Sequence, residues 1–418
     1  NNKMIGDILK SNNPKSKVIS IAGKDRSAIM MGGKNPDLVL YYNNIDRFIT
    51  SDYYVDTLPK YINEFNNDLR FETYRDSLWT KILPDSIYLK HSRLDNFTGE
   101  VDSYHMDHDS ITKTKIKTNN YKPVFPISFD HDKKPGAEIL GTPWFDDKLV
   151  DLSKLILDEE NLGTDDNPDL FFIGFSAMDY VIHNYGPFSQ ETMDYLIRLD
   201  IQLNELITHI ENTIGLEHVE FVLTSDHGGL PLPEFLPQLN LSGGRINRDN
   251  LREAYDWIED EISEYYGENL FYKDFTNYYL FHDKLKKKKI EASDLENIIK
   301  KYLEMVDGVK AVLSKTEIIS SKKTDNVSLR LKNMLHVEQS ADVFVILEPG
   351  YLYRNPYGTS HGSPYDYDSH VPLLFVKEGR PKTEIKVQAE TVDIAPTILN
   401  LLNIKTDYPF EGKVLKIQ

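Results

Sequence analysis

The sequence predicts an α/β protein with a largely parallel sheet and helices on both faces. Three observations support this class: short apolar runs without alternating polarity, an amphipathic helix between two of these runs, and polar residues that follow several of them. Runs of this kind are typical of strands that are covered on both faces. The predicted strands are residues 18–22, 38–42, 170–175, 218–224, 343–347 and 371–376.

The clearest helix signal lies between the third and fourth predicted strands. Ser189 is suited to cap this helix and Gly215 to end it. Strand, helix and strand in this order predict a right-handed, parallel βαβ unit. The apolar face of the helix comprises Met193, Leu196, Ile197, Leu203, Leu206, Ile207, Ile210 and Ile214.

The 418 residues are enough for a large core with appended parts. Residues 1–230 and 341–418 are predicted to form the α/β core, with a polar, irregular insertion at about 54–132. Residues 231–340 are predicted to be an inserted α+β cap, because two helical patterns flank a strand-like run there.

Composition excludes several classes of protein. The formal net charge of −18 argues against binding to nucleic acid duplexes or to anionic membranes, which need a basic surface. No apolar run reaches the roughly 18 residues of a membrane helix. There are no cysteines, so a metal ion would have to be held by histidines and carboxylates. Oligomeric state is not predicted.

Three distant segments predict a metal site. They are FSAMDYVIHNYG, FVLTSDHGG and YGTSHGSPYDYDSHVPL, and each follows a predicted strand. In open α/β sheets the active-site crevice lies at the carboxyl ends of the strands. Carboxylate and imidazole ligands suit zinc. The candidate ligands are Asp179, His183, Asp226, His227 and His361.

Two interpretations are open for other polar groups near these segments. His370, with Asp366 or Asp368, either orients the ligands or only packs its loop. The histidine- and aspartate-rich stretches at 105–109 and 130–132 resemble metal clusters, but they lie in the polar insertion. They are therefore interpreted as solvated loops.

Lys24 and Arg26 follow the first predicted strand directly. Two cations at the carboxyl end of a strand suit a phosphoryl group, because arginine offers a planar fork of donors and lysine a point charge. A surface charge cluster without function is an equally good interpretation of these residues alone.

Taken in order, several segments resemble the alkaline phosphatase superfamily, and more narrowly the phosphate-irrepressible, PafA-type alkaline phosphatases. These are related to type I phosphodiesterases and nucleotide pyrophosphatases. The resemblance implies an alkaline-phosphatase-like sandwich and a periplasmic or secreted enzyme. It is carried by SIAGKDRSAI, DYYVDTLPKYINEFN, FSAMDYVIHNYGPFSQETMDYLIRLD, LTSDHGG, YGTSHGSPYDYDSHVPLLF and TVDIAPTILNLL.

The resemblance also implies two zinc ions and a covalent phospho-enzyme formed on a threonine or serine. One ion would be held by Asp179, His183 and His361. The second would be held by Asp226, His227, a further aspartate and the nucleophile.

Lys24 and Arg26 match the family's Lys-x-Arg pair, which contacts the non-bridging oxygens of the phosphoryl group. The resemblance therefore implies a zinc-dependent phosphate monoester hydrolase that acts on small-molecule esters. The alternative is a phosphodiesterase or nucleotide pyrophosphatase on the same scaffold. A third alternative is a chain that keeps metal sites without catalysis.

The sequence departs from the family pattern at its start. In the family, the nucleophile and one metal-binding aspartate lie upstream of the Lys-x-Arg pair, whereas only 23 residues precede Lys24 here. Asp7, Ser11 and Ser16 lack the flanking residues of the family's ligand and nucleophile. The nucleophile is therefore expected to lie upstream of the present sequence, and the chain alone is expected to be inactive.

Overall fold

The computed structural model describes residues 3–100, 124–128, 135–354 and 356–417. Its core is a four-stranded sheet. Three neighbouring strands run parallel, and the short strand at one edge is antiparallel to its neighbour. This arrangement confirms the predicted α/β class with a largely parallel sheet. Within the described residues the strand order is Phe48–Ile49, Leu38–Tyr42, Val18–Ala22 and Leu170–Gly174.

Helices cover both faces of this sheet, as predicted. On one face, isoleucines of Val18–Ala22 pack with the helices Pro143–Glu159 and Gln190–Thr213. On the other face, Ile5–Asn12 and Ile394–Leu401 contribute to a second apolar cluster. Each fully buried aliphatic side chain stabilises such packing by about 1.5–3 kcal/mol. The helices of the core are Ile5–Asn12, Asp25–Gly32, Pro143–Glu159, Ala177–Tyr185, Gln190–Thr213, Asp366–Ser369 and Ile394–Leu401.

The helix Gln190–Thr213 begins and ends as predicted. Its first turn is capped by Ser189, whose hydroxyl oxygen accepts a hydrogen bond of 2.9 Å from the Thr192 amide. Gly215 follows the helix with a positive φ of 91°. Only part of the predicted apolar face is covered by the described residues, since Leu196 is 47% exposed.

The predicted parallel βαβ unit requires a correction. The strand Phe221–Thr224 pairs antiparallel with Leu373–Val376, and within the described residues it forms no ladder with Leu170–Gly174. Strands pair only when they lie about 4.8 Å apart, so these two do not lie side by side. Both strands nevertheless pack against the core cluster that includes the helix Gln190–Thr213. Each therefore keeps one edge that no described strand pairs with.

A second sheet forms the cap. All of its pairings are antiparallel, and its strand order is Val309–Ser314, Val343–Leu347, Asn277–Leu280 and Phe271–Asp274. Helices of the cap pack with this sheet in two apolar clusters. They are Arg248–Tyr266, His282–Lys288, Ala292–Leu303, Lys315–Ser320 and Asn326–Asn333.

The assignment of Val343–Leu347 to the core sheet was wrong. An isolated apolar run does not reveal its partner, and this strand pairs along its length with Val309–Ser314. The predicted core segment 341–418 therefore starts with a strand of the cap sheet. The chain leaves the cap through a short parallel ribbon of Gly244–Arg245 and Tyr351–Leu352.

The insertion at about 54–132 is more regular than predicted where it is described. Its strand Leu78–Trp79 pairs with Ile127–Ser128. Buried Asp194 anchors it to the core, because its carboxylate accepts hydrogen bonds from Trp79 Nε1 at 2.6 Å and the Ile82 amide at 3.0 Å. The stretches 105–109 and 130–132 lie outside the described residues. Helices in and after the insertion are Lys60–Asp68, Asp85–His91 and Pro135–Glu138.

Among the helices of the described residues, none combines the length and apolar character that a membrane crossing requires.

A buried carboxyl group is expected to make stability depend on pH. Burial raises the pKa of Asp146 to about 7, although the Tyr195 hydroxyl donates a hydrogen bond to it. The pKa of an unfolded aspartate is about 3.9. Asp146 therefore favours the folded state fully below pH 4, and this contribution is lost as the pH rises through 7. The loss between pH 5 and 8 should be roughly 2–3 kcal/mol.

The Asp146→Asn variant should lack this loss, because an amide does not ionise. Urea unfolding at pH 5 and pH 8 would measure it for wild type, for Asp146→Asn and for the matched control Asp151→Asn on the same helix. Asp151 is partly exposed and pairs with Lys148 at 2.9 Å. An equal pH dependence in all three proteins would contradict the assignment to Asp146.

Candidate metal centre

The helix Ala177–Tyr185 presents two of the predicted ligands. It follows the strand Leu170–Gly174, and the spacing of four residues places Asp179 and His183 on one face. His183 Nε2 lies 3.4 Å from Asp179 Oδ1. Both side chains are largely buried, so they form a pair inside the crevice rather than a surface ion pair.

The loop after the strand Phe221–Thr224 presents Asp226 and His227. A side chain at Gly228 would place its Cβ 2.1 Å from the Tyr367 carbonyl oxygen, so only glycine allows this close approach. The Gly228 amide donates to the Asp368 carbonyl at 2.7 Å. The two loops are therefore joined directly beside His227.

His361 arrives on a loop that returns from the cap. Its Nε2 atom lies 3.5 Å from Asp179 Oδ1. Its ring stacks on the ring of His227, with centroids 3.4 Å apart and an interplanar angle of 13°. Because the preceding strand is the short ribbon strand Tyr351–Leu352 and not a strand of the core sheet, the position of His361 is fixed by loop contacts.

Four of the five predicted side chains thus converge on one carboxylate oxygen. The Nε2 atoms of His183, His361 and His227 lie 3.4, 3.5 and 3.7 Å from Asp179 Oδ1. Ligand atoms of Asp179, His227 and His361 lie within 4.8 Å of one another. Asp226 sits at the rim: its side chain is 71% exposed, and its Oδ2 atom lies 3.4 Å from His227 Nε2. His227 therefore stands between the main cluster and Asp226.

Hydrogen bonds orient two of the imidazoles. His183 Nδ1 lies 2.8 Å from the Thr359 carbonyl oxygen, and His227 Nδ1 lies 2.9 Å from the Gly228 carbonyl oxygen. A carbonyl can only accept, so each Nδ1 carries the proton and each Nε2 keeps a lone pair that faces Asp179. This is the usual way in which proteins orient histidine ligands.

Charge and burial favour cation binding at this cluster. Burial, reinforced by neighbouring His227, lowers the pKa of His361 to about 4, so its imidazole is neutral at neutral pH. Burial likewise lowers the pKa of His183. For Asp179, burial opposes ionisation, but the Lys24 ammonium that donates to its carboxylate helps to outweigh burial and lower the pKa. One carboxylate with neutral imidazoles is a suitable ligand set for a divalent metal.

Lys24 and Arg26 lie at the same end of the sheet. The buried Lys24 ammonium donates to Asp179 Oδ2, and it lies 5.3 Å from the centroid of the Tyr180 ring. Arg26, in the first turn of the helix Asp25–Gly32, is exposed. The structure therefore places Lys24 on a predicted metal ligand, a contact that the sequence did not indicate.

In the segment YGTSHGSPYDYDSHVPL, the remaining acidic side chains hold loops in place through hydrogen bonds. Asp368 accepts hydrogen bonds from the Ser363 amide at 2.8 Å and from its hydroxyl at 2.7 Å. Asp366 binds Arg330 at 2.7 Å, and His370 is exposed. The loop-packing interpretation therefore holds for Asp366 and for the side chain of Asp368.

Two residues near the candidate metal centre were not predicted from the sequence. Thr359 is fully buried between the ligand segments, and Arg354 is a partly buried cation whose Nη1 atom donates to the Thr359 carbonyl at 3.1 Å. Burial lowers the pKa of Arg354 to about 10. Neither residue stands in a spacing pattern, so their roles depend on contacts that only the folded chain shows.

Comparison with known proteins agrees with this architecture. The family model of type I phosphodiesterase / nucleotide pyrophosphatase matches residues 22–371, which include every residue of the candidate site. The chain belongs to this family. It is, more narrowly, a member of the alkaline phosphatase superfamily of the PafA type, and it is a phosphoester hydrolase.

Individual relatives are similar over nearly the whole chain. Alkaline phosphatase PafA of Elizabethkingia meningoseptica is 28% identical over 405 residues, which cover 95% of this chain and 70% of the relative. Alkaline phosphatase PhoV of Synechococcus elongatus is 27% identical, with 96% and 70% covered. A crystal structure of a PafA variant superimposes with a TM-score of 0.85 at 27% identity, covering 99% of this chain and 77% of that structure.

Proposed function

We propose that this chain carries the metal-binding core of a zinc-dependent phosphate monoester hydrolase. The observation that carries the proposal is the convergence of three imidazole Nε2 atoms on Asp179 Oδ1, with the Lys24 ammonium on the other oxygen. A cation bound there would satisfy the carboxylate and the imidazole lone pairs together. It would share this carboxylate with Lys24.

The ligand types favour zinc. Neutral imidazole and carboxylate are borderline and hard ligands, and a set of three protein ligands leaves a position open for substrate. Asp179, His183 and His361 would hold the first ion. Asp226 and His227 would contribute to a second ion. The remaining ligands of that ion would come from outside the five candidate residues. When bound, the ions would stabilise charge on the attacking and leaving oxygens.

The nucleophile is proposed to lie upstream of this sequence, on a strand next to Leu170–Gly174. Two observations support this placement. Among the described residues, each of the strands Leu170–Gly174 and Phe221–Thr224 has one unpaired edge, and the segment after each strand carries ligands of the candidate metal centre. In addition, Leu223 in the strand Phe221–Thr224 is exposed. A strand between these two edges would deliver its carboxyl end to the cluster.

Lys24 and Arg26 are proposed to bind the non-bridging oxygens of the phosphoryl group. The threonine or serine oxygen would attack phosphorus while the alcohol leaves, and water would then release phosphate from the enzyme. The cations of this chain would hold the dianionic group in line for both displacements. Lys24 is positioned for this role by its contact with Asp179 and by the Tyr180 ring beneath it.

The second candidate is a phosphodiesterase or nucleotide pyrophosphatase, which the matching family model favours. Substrates would in either case be small phosphate esters. A periplasmic or secreted location is proposed from the resemblance to PafA-type enzymes.

Metal analysis of this chain is expected to find at most one tightly held zinc ion and almost no phosphatase turnover. The reason is that Asp226 and His227 alone would form an incomplete second site, and the nucleophile is proposed to lie outside these residues. The measurement is zinc content after dialysis, together with hydrolysis of an aryl phosphate. Two tightly held zinc ions, or normal turnover by these 418 residues, would show that the nucleophile has been misplaced.

A further inference from the structure

The loop that carries His361 is joined to the cap rather than to a core strand. It follows the short ribbon strand Tyr351–Leu352, whereas the other ligands follow Leu170–Gly174 and Phe221–Thr224. A strand end is held by the hydrogen bonds of its sheet, but a loop must be held by side chains or local backbone contacts. The alignment of His361 with the other ligands therefore needs a specific anchor.

Thr359 makes contacts with both other ligand segments. Its amide donates to the His183 carbonyl at 2.9 Å, and its carbonyl oxygen lies 2.8 Å from His183 Nδ1. Its Oγ1 hydroxyl donates to the Leu230 carbonyl at 2.7 Å, three residues after His227. With 0% exposure, these groups cannot exchange their partners for bulk water.

The surrounding backbone leaves this loop little freedom. A side chain at Gly358 would place its Cβ 2.4 Å from the His183 carbonyl oxygen, so the loop lies directly against the helix. From the outer side, Arg245 Nη1 donates to the Gly358 carbonyl at 2.9 Å, and the Gly358 amide donates to Gly99 at 2.6 Å. Thr359 is thus held between the helix and the loop of His227.

We propose that Thr359 is a positioning residue that aligns His183, His227 and His361 for metal binding. The inference rests on the proposed metal-binding function and deepens it. The backbone groups of Thr359 align His361 with His183, and they persist in any substitution. The hydroxyl adds a side-chain link to the loop of His227, beside the backbone hydrogen bonds from Gly228 to Asp368 and from Leu230 to Ser360. Its removal therefore tests the alignment without deleting a ligand.

The test compares Thr359→Val with the matched control Thr142→Val in the full chain. Valine is close to threonine in shape but has no hydroxyl. Thr142 is also buried, and its Oγ1 donates to the Ile139 carbonyl at 2.7 Å, a hydrogen bond that involves none of the ligand segments. Zinc dissociation constants would be measured by competition with a chelator, and the coordination of cobalt(II) by its visible absorption spectrum.

Thr359→Val is expected to weaken zinc binding about 10- to 100-fold, the usual effect of losing an interaction that orients ligands. Its cobalt spectrum should also change. Thr142→Val should keep both the wild-type affinity and the wild-type spectrum. Thr359→Ser should retain them too, because serine restores the hydroxyl donor. If Thr359→Val does not fold, Thr359→Ser, which keeps a hydroxyl, is compared with Thr359→Ala, which has none.

The outcomes separate the two proposals. Wild-type protein that binds neither zinc nor cobalt would overturn the proposed function itself. Wild-type binding that Thr359→Val and Thr359→Ala both retain would overturn only the role of Thr359. If Thr359→Ser bound zinc as weakly as Thr359→Ala, the role of Thr359 would also be overturned, because the hydroxyl would then be irrelevant.

Discussion

Replacement of Asp179 by asparagine is expected to lower the affinity of the chain for zinc by at least a hundredfold. Asp179 Oδ1 is the atom on which His183, His227 and His361 converge, and it supplies the only negative charge among these four side chains. Zinc binding to a complete protein site is worth about 10–16 kcal/mol. One ligand's share is therefore roughly 3 kcal/mol, which corresponds to a hundredfold change in the dissociation constant.

The measurement is zinc affinity by chelator competition for Asp179→Asn and for Asp366→Asn. Asp366 is a suitable control because it undergoes the same chemical change, yet it pairs with Arg330 at 2.7 Å, away from the cluster. Circular dichroism would verify folding, since Asp179→Asn leaves buried Lys24 without its carboxylate partner. Equal zinc affinities in the two variants would exclude Asp179 as the central ligand.

The variant Asp226→Asn distinguishes the first ion from the second. Asp226 is exposed at the rim, and among the described residues its carboxylate meets the cluster at His227. Its loss should leave the first zinc ion in place. This contrast follows from the geometry, because His227 alone lies near both carboxylates.

The sequence indicated which side chains come together because each short pattern carried its own local geometry, while their role as metal ligands stays a prediction. Asp179 and His183 are four residues apart on a helix, and Gly228 allows the close turn beside His227. Strands such as Val18–Ala22 were identifiable because covered strands are continuously apolar. In all these cases the signal and the structure lie within a few residues of each other.

The features that the sequence did not predict depend on pairing between segments that are far apart in the chain. Val343–Leu347 has the composition of a core strand, and only its partner Val309–Ser314 identifies it as part of the cap. The contact of Lys24 with Asp179 and the role of Thr359 likewise join residues far apart in the chain. Such contacts have no period or spacing in the sequence, so residue patterns cannot indicate them.

The contact between Lys24 and Asp179 joins the predicted phosphate-binding and metal-binding groups of the site. Asp179 Oδ2 accepts the Lys24 ammonium, while Oδ1 faces the imidazoles of His183, His227 and His361. If Asp179 holds a metal ion as proposed, the ion and Lys24 would share this carboxylate. Because a buried, unpaired ammonium is costly, the pair keeps Lys24 in place.

Removal of Lys24 and Arg26 together is expected to impair monoester hydrolysis far more than diester hydrolysis. The test uses the chain joined to its nucleophile-bearing segment. A monoester carries two negative charges on its non-bridging oxygens, which reward two cations. A diester has less charge and a second substituent where one cation would bind. Charge-assisted contacts are worth roughly 1.5–3 kcal/mol each, so the relative rate should fall by about a hundredfold or more.

The measurement is the ratio of kcat/KM for an aryl phosphate to that for its methyl diester, in wild type and in the double variant Lys24→Ala, Arg26→Ala. The control is the double variant Lys15→Ala, Lys34→Ala, which loses the same charge from exposed positions. The control should keep the wild-type ratio, because exposed charges far from the cluster are screened by salt. If the ratio is unchanged when Lys24 and Arg26 are removed, these cations do not set specificity, and a phosphodiesterase becomes the better proposal.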